Sequence, residues 1–166
     1  MPACEPDFFR LLEVLGRHGV DYILVGGLCA VLQGVPLSTL DMDIVHLRTA
    51  ENLDRLLGAL QELQAVYRHH AEQRLAPDRS HLASAGHQLL QTAAGPLDVL
   101  GTIGKARGYA ELIDQTQEIE IEGCRLRLLT LEELIRTTEE AGRDKDQASL
   151  PLLRQALLLQ QTRRPP

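Results

Sequence analysis

The apolar positions change period several times along the chain. In "DFFRLLEVLGRHG", Phe8, Leu11, Leu12 and Leu15 recur at helical spacing, which predicts a helix capped by Asp7 and stopped by Gly19. "VDYILVGG" reads as a short buried strand ending at Gly26. "LCAVLQG" is apolar nearly all round and predicts a short buried helix, followed by turn chemistry in "GVPLST" and a strand in "LDMDIVHL". "TAENLDRLLGALQEL" carries the best helical stripe, Leu53, Leu56, Leu57, Leu60 and Leu63. Thr49 is its cap, and Asn52 fills the capping-box acid position less well than Glu would.

Residues 66–85 are poorly periodic and rich in Arg and His (Arg68, His69, His70, Arg74, Arg79, His81), which predicts a mostly surface loop. "GHQLLQTAAGPLDVLG" predicts two strands around a Gly95-Pro96 turn. "QEIEIEGCRLRLLT" predicts a hairpin turning at Gly123. Thr130 and Glu133 form a capping-box pair before a further helix. "DKDQASLPLLRQALLLQQ" predicts a last helix kinked or broken at Pro151, because proline in a helix interior costs roughly 3 kcal/mol, and a fraying tail, "TRRPP". The pattern is α/β (α+β): a small mixed β-sheet flanked by helices. It predicts one domain over residues 1–166, with C-terminal helices from about residue 130.

Composition narrows the functions. Aromatics are 3% and Trp is absent, which disfavours stacking on single-stranded nucleic acid; the net charge of -6 disfavours a purely electrostatic nucleic-acid binder. Cys4, Cys29 and Cys124 form no CxxC pair, which predicts reduced thiols and a cytoplasmic protein. Neither a signal peptide nor a membrane-spanning run is predicted. The histidines make no HExxH, and adjacent His69 and His70 predict a surface role.

Two local features carry chemistry. Asp41 and Asp43 stand two apart on a predicted strand, so both carboxylates project to one face while Met42 and Ile44 face the core. Their repulsion makes sense with a cation between them, and hard oxygen ligands favour Mg2+ or Mn2+. The competing reading makes Asp41 a turn residue and Asp43 an exposed strand residue. Asp98 lies between Leu97 and Val99 in an apolar strand, where Asp is depleted. It is either a strand-end residue or a third carboxylate; three on one face would hold two divalent ions, as in-line attack on a phosphate requires. Gly26 and Gly27, between strand and helix, offer free backbone N–H groups to an anion.

These features, "GG", a helix, "DMD" on a strand and a later strand Asp, resemble the polymerase-beta-like nucleotidyltransferase superfamily. "VGGLCAVLQGVPLSTLDMDIV" followed by "GHQLLQTAAGPLDVLG" is similar to its small prokaryotic members, some of which act as toxins in toxin–antitoxin pairs. The resemblance covers roughly residues 20–100, with a weaker echo in "GRDKDQASL". It implies transfer of a nucleoside monophosphate from a nucleoside triphosphate to a hydroxyl of RNA (a tRNA end among them) or of a protein. It further implies that Gly26 and Gly27 contact the triphosphate, that Asp41, Asp43 and Asp98 bind Mg2+ or Mn2+ ions and are catalytic, and that Lys145 reaches the phosphates. Ser38 and Thr39 offer hydroxyls to a phosphate or to the turn. Relatives often carry His-Gly and then a basic residue before the acidic pair; here Gln33 precedes Gly34, and Leu37 stands at the basic position. That departure leaves open a nucleotide-binding module with weak catalysis, or a protein whose role is to pair with an antitoxin.

Overall fold

Asp7 opens the first helix of the computed structural model, which describes residues 5–164. Cys4, Pro165 and Pro166 lie outside them. The Asp7 carboxylate accepts from the Arg10 backbone N–H, α1 runs over Phe8–Arg17, and Leu11, Leu12, Val14 and Leu15 are buried. The chain then forms β1 (Tyr22–Val25), α2 (Gly26–Leu32), β2 (Met42–His46), α3 (Ala50–Glu62), β3 (Val66–Tyr67), α4 (Arg79–Ala83), β4 (His87–Thr92) and β5 (Gly95–Leu100). It continues with α5 (Tyr109–Leu112), β6 (Thr116–Ile121), β7 (Cys124–Leu129), α6 (Leu131–Ala141), α7 (Asp144–Gln147) and α8 (Leu150–Arg163). One seven-stranded sheet has the order β3-β4-β5-β2-β1-β7-β6. It is mixed: β2 pairs antiparallel with β1 and parallel with β5, and β1 pairs parallel with β7. Ile23, Leu24, Ile44, Leu97 and Val99 are fully buried in the central strands. No helix among the described residues is long and apolar enough to cross a membrane.

Four sequence expectations need correction. Residues 66–85 are not simply a loop. They pair as β3, wind through 3-10 turns over Arg68–Gln73 broken at His70, and form α4, whose Leu82 is fully buried. A capping box between Asp78 and His81 starts that helix, and its shortness hid it from a periodicity search. His69 and His70 are exposed, as expected.

The β4–β5 turn falls at Ala93-Ala94, because Thr92 pairs with Gly95. The Thr92 hydroxyl donates to the Gly95 carbonyl and accepts from the Ala94 N–H, so a threonine supplies the turn chemistry. Pro96 is instead the second residue of β5; the ladder to β2 begins only at Leu97, so its missing N–H is not required there. The β6–β7 hairpin turns at Glu122 (φ 47°) and Gly123 (φ 84°), the two positive values of a tight two-residue turn.

Pro151 does not interrupt a helix. The break lies at Ala148 and Ser149, and Pro151 sits in the first turn of α8, where the missing N–H has no helical acceptor to lose.

The fourth correction concerns capping. Thr130 accepts from the Glu133 N–H, but the Glu133 carboxylate does not reach back; it accepts from Arg107 at 2.6 Å. Glu133 is buried, and a guanidinium satisfies its charge better than a backbone amide would. Asn52 likewise exceeds a weak capping role. Its side chain accepts from the Asp21 N–H at 2.7 Å and donates to the carbonyls of Asp21 and Leu47, locking α3 to the entry of β1 and the exit of β2.

Candidate active site

Register brings the acidic residues together. Asp43 lies opposite Val25 on β1 and opposite Asp98 on the parallel β5. Partners directly opposite share a face, so the two carboxylates stand side by side although far apart in sequence. Asp41 precedes β2 by one residue, and carboxylate oxygens of Asp41, Asp43 and Asp98 lie within 4.8 Å of one another. Asp98 is 8% exposed; Asp41 and Asp43 are half-buried.

Crowding marks the chemistry of this cluster. Burial first, then the adjacent Asp98 carboxyl, then the charge of Asp41 push the Asp43 carboxyl up to about 8, while the positive charge of Arg68 opposes the rise. Without a cation, burial and the neighbouring carboxylates therefore disfavour the charged form of Asp43. A set of hard, crowded oxygens whose repulsion a divalent cation would relieve fits Mg2+ or Mn2+.

Gly26 is required by this packing. Its φ is +71°, and a Cβ there would lie 2.0 Å from Oδ2 of Asp43. A Cβ on Gly27 would meet the Thr39 hydroxyl at 3.0 Å. The glycine pair thus lets the Asp43 carboxylate and the loop before β2 close onto the start of α2. The Thr39 hydroxyl donates to the Asp41 carbonyl at 3.0 Å, which holds that loop in place. Ser38 is exposed.

The sequence missed Arg68. From the residue after β3 its Nη2 donates to Oδ1 of Asp98 at 2.6 Å and to the Leu90 carbonyl at 3.0 Å. A basic residue just beyond a Val-Tyr strand was the available signal, but nothing local said that it points inward.

No protein-family model matches the sequence, and no curated protein matches it. Solved structures do. The chain is similar to a Thermotoga maritima protein provisionally assigned as a nucleotidyltransferase, at 16% identity and a TM-score of 0.55, covering 87% of this chain and 88% of that one. It is also similar to the lincosamide antibiotic adenylyltransferase LnuA bound to lincomycin, at 15% identity and a TM-score of 0.58, covering 89% of this chain and 94% of that one. The chain has a nucleotidyltransferase fold.

Within that fold, the two departures in the loop before the acidic pair have structural causes. The Gln33 amide donates to the Leu129 carbonyl at 2.8 Å and accepts from Gln117 at 2.7 Å, fastening the end of α2 to the β6–β7 hairpin. Leu37 packs against the core. Lys145 is exposed on α7 and, among the described residues, makes no side-chain hydrogen bond or ion pair.

The raised Asp43 carboxyl makes metal-free stability depend on pH. A carboxyl whose folded value (about 8) exceeds its unfolded one (3.8) contributes most below pH 4, and that contribution falls away as pH rises to about 8. In EDTA, thermal melts of the wild type should lose stability across this window. Asp43→Asn should flatten the slope and melt higher than wild type at pH 8. A wild-type melting temperature that rises from pH 4 to 8 by as much as that of Asp43→Asn would remove the protonated Asp43.

Proposed function

We propose that the protein transfers a nucleoside monophosphate from a nucleoside triphosphate to an acceptor hydroxyl and releases pyrophosphate. The observation that carries this reading is the Asp43–Asp98 register, which gathers three carboxylates beside a glycine turn on a nucleotidyltransferase fold. Asp41 and Asp43 would hold both divalent ions, and Asp98 would complete the catalytic one. Bound Mg2+ or Mn2+ supplies charge neutralisation for the triphosphate and acidifies the attacking hydroxyl. In that step the hydroxyl oxygen would bond to the α-phosphorus, the bond to the pyrophosphate oxygen would break, and Asp98 would take the hydroxyl proton. Gly26, Gly27, Ser38 and Thr39 would line the triphosphate, with Lys145 as a further phosphate ligand.

The sequence resemblance supports an RNA or protein acceptor and, through its toxin members, an antitoxin partner. The likeness to LnuA adds small-molecule hydroxyls to the acceptors worth testing. A second reading, a nucleotide-binding module with weak turnover, draws on Gln33 and Leu37: both are committed to packing, so no cation comes from that loop. Each α-labelled triphosphate, incubated with Mg2+ and separately with RNA, protein and small hydroxyl compounds, should label one pool. Triphosphate binding with no label in any pool would favour the binding module; no triphosphate binding would end both readings.

A further inference from the structure

The acid site has a fourth member that does not itself offer a ligand. Arg68 sits one residue past β3, and the β3–β4 ladder at Tyr67 and Leu90 fixes its backbone. The Tyr67 hydroxyl donates to Gln88 at 2.6 Å, which secures the same point from its side chain. From there the guanidinium crosses β4 and reaches β5. One nitrogen, Nη2, uses both its hydrogens, one on the Leu90 carbonyl and one on Oδ1 of Asp98. Among the described residues, the other oxygen of Asp98 accepts no hydrogen bond from the protein and remains free to serve as a ligand.

This placement has a cost. Nε of Arg68 is buried and has no hydrogen-bond partner. A buried donor left unmet carries its full desolvation penalty with nothing to offset it. A surface arginine that merely tied an edge strand down would turn its fork outward and satisfy every N–H with water. Arg68 instead gives up one donor to hold Asp98 with a single nitrogen.

We propose that Arg68 is the positioning residue of the metal site: by clamping Oδ1 of Asp98 against the Leu90 carbonyl, it aims the remaining oxygen at the divalent ion shared with Asp41 and Asp43. The inference rests on the proposed metal-dependent reading of this site. Outer partners that orient a ligating carboxylate typically account for 10–100-fold in metal affinity. Two lesser roles predict other outcomes. A guanidinium acting only as a competing cation would weaken Mn2+ binding by its charge, so its removal would tighten binding. A guanidinium acting only as a strand tie would change stability and leave Mn2+ affinity alone.

The sign of the effect therefore decides. Mn2+ alone is titrated into the full chain while the electron paramagnetic resonance signal of the free ion is followed, with Asp43→Asn locating the binding at the carboxylates. Arg68→Met, which keeps the aliphatic stem, should bind Mn2+ about 10–100-fold more weakly than wild type. Arg68→Lys keeps the charge but cannot hold both oxygens in the same geometry, and should fall between the two. Arg68→Gln, neutral and shorter, is judged by the same criterion as Arg68→Met and decides the matter if the Met variant does not fold. Unchanged or tighter binding in a folded, charge-removed variant would overturn the positioning role while leaving the metal site standing. A wild type that binds no Mn2+ at the carboxylates would overturn the metal reading and this one with it.

Discussion

Asp98→Asn should abolish nucleotidyl transfer, by roughly a thousandfold or more, the scale of losing a preorganised electrostatic contact at a transition state, while leaving the fold and much of the triphosphate binding in place. Asp98 is buried beside Asp43, and the amide preserves its shape. Its carbonyl oxygen still accepts from Arg68, so the link from β3 to β5 survives. The substitution also relieves the crowding that raises the Asp43 carboxyl, so no loss of stability is expected from that source. What disappears is the third negative charge, and with it, on the proposed reading, the carboxylate that would complete the second ion's site and take the hydroxyl proton. Phosphoryl chemistry relies almost entirely on positioning and charge neutralisation, so little activity should remain. The check is transfer of α-phosphate label run beside a triphosphate-binding assay on the same preparation. Wild-type transfer by the mutant would rule out Asp98 as a catalytic residue.

Gly26→Ala should disable the site from the opposite side. Alanine at φ +71° carries a conformational cost of roughly 1–2 kcal/mol. Its Cβ would also stand 2.0 Å from the Asp43 carboxylate, which must move. The expected result is a lower melting temperature in EDTA and loss of most of the rise that Mg2+ with nucleotide confers on the wild type through linkage. Gly16→Ala is the control, since Gly16 lies on α1 with no positive φ and an added Cβ there meets nothing within 4 Å. It should keep most of the Mg2+ response. Equal responses in the two variants would mean that the Gly26–Asp43 contact does not shape the site.

Much of this molecule was legible from local pattern. Helical stripes located α1 and α3, alternation located β6 and β7, and the Asp41–Asp43 spacing on an apolar strand marked the acidic pair. These features survive folding because side-chain direction within one helix or strand follows from backbone geometry alone. The short elements between residues 66 and 85 escaped, being too brief to show a period.

Tertiary structure decided the rest. The sequence contained Asp98 and made it a candidate, but only the parallel register of β2 and β5 sets it opposite Asp43. That register depends on how a seven-stranded sheet packs its apolar faces, which no window of sequence contains. The glycine pair was visible as a turn, yet the reason for Gly26 is the Asp43 carboxylate lying on it from another strand. Arg68 read as one cation among several in a basic stretch; the β3–β4 pairing aims it at Asp98. Asn52, Gln33 and Glu133 were polar positions of ordinary helices until distant partners gave them hydrogen bonds. Periodicity assigns each residue to a face of its own element, and long-range packing determines what that face meets.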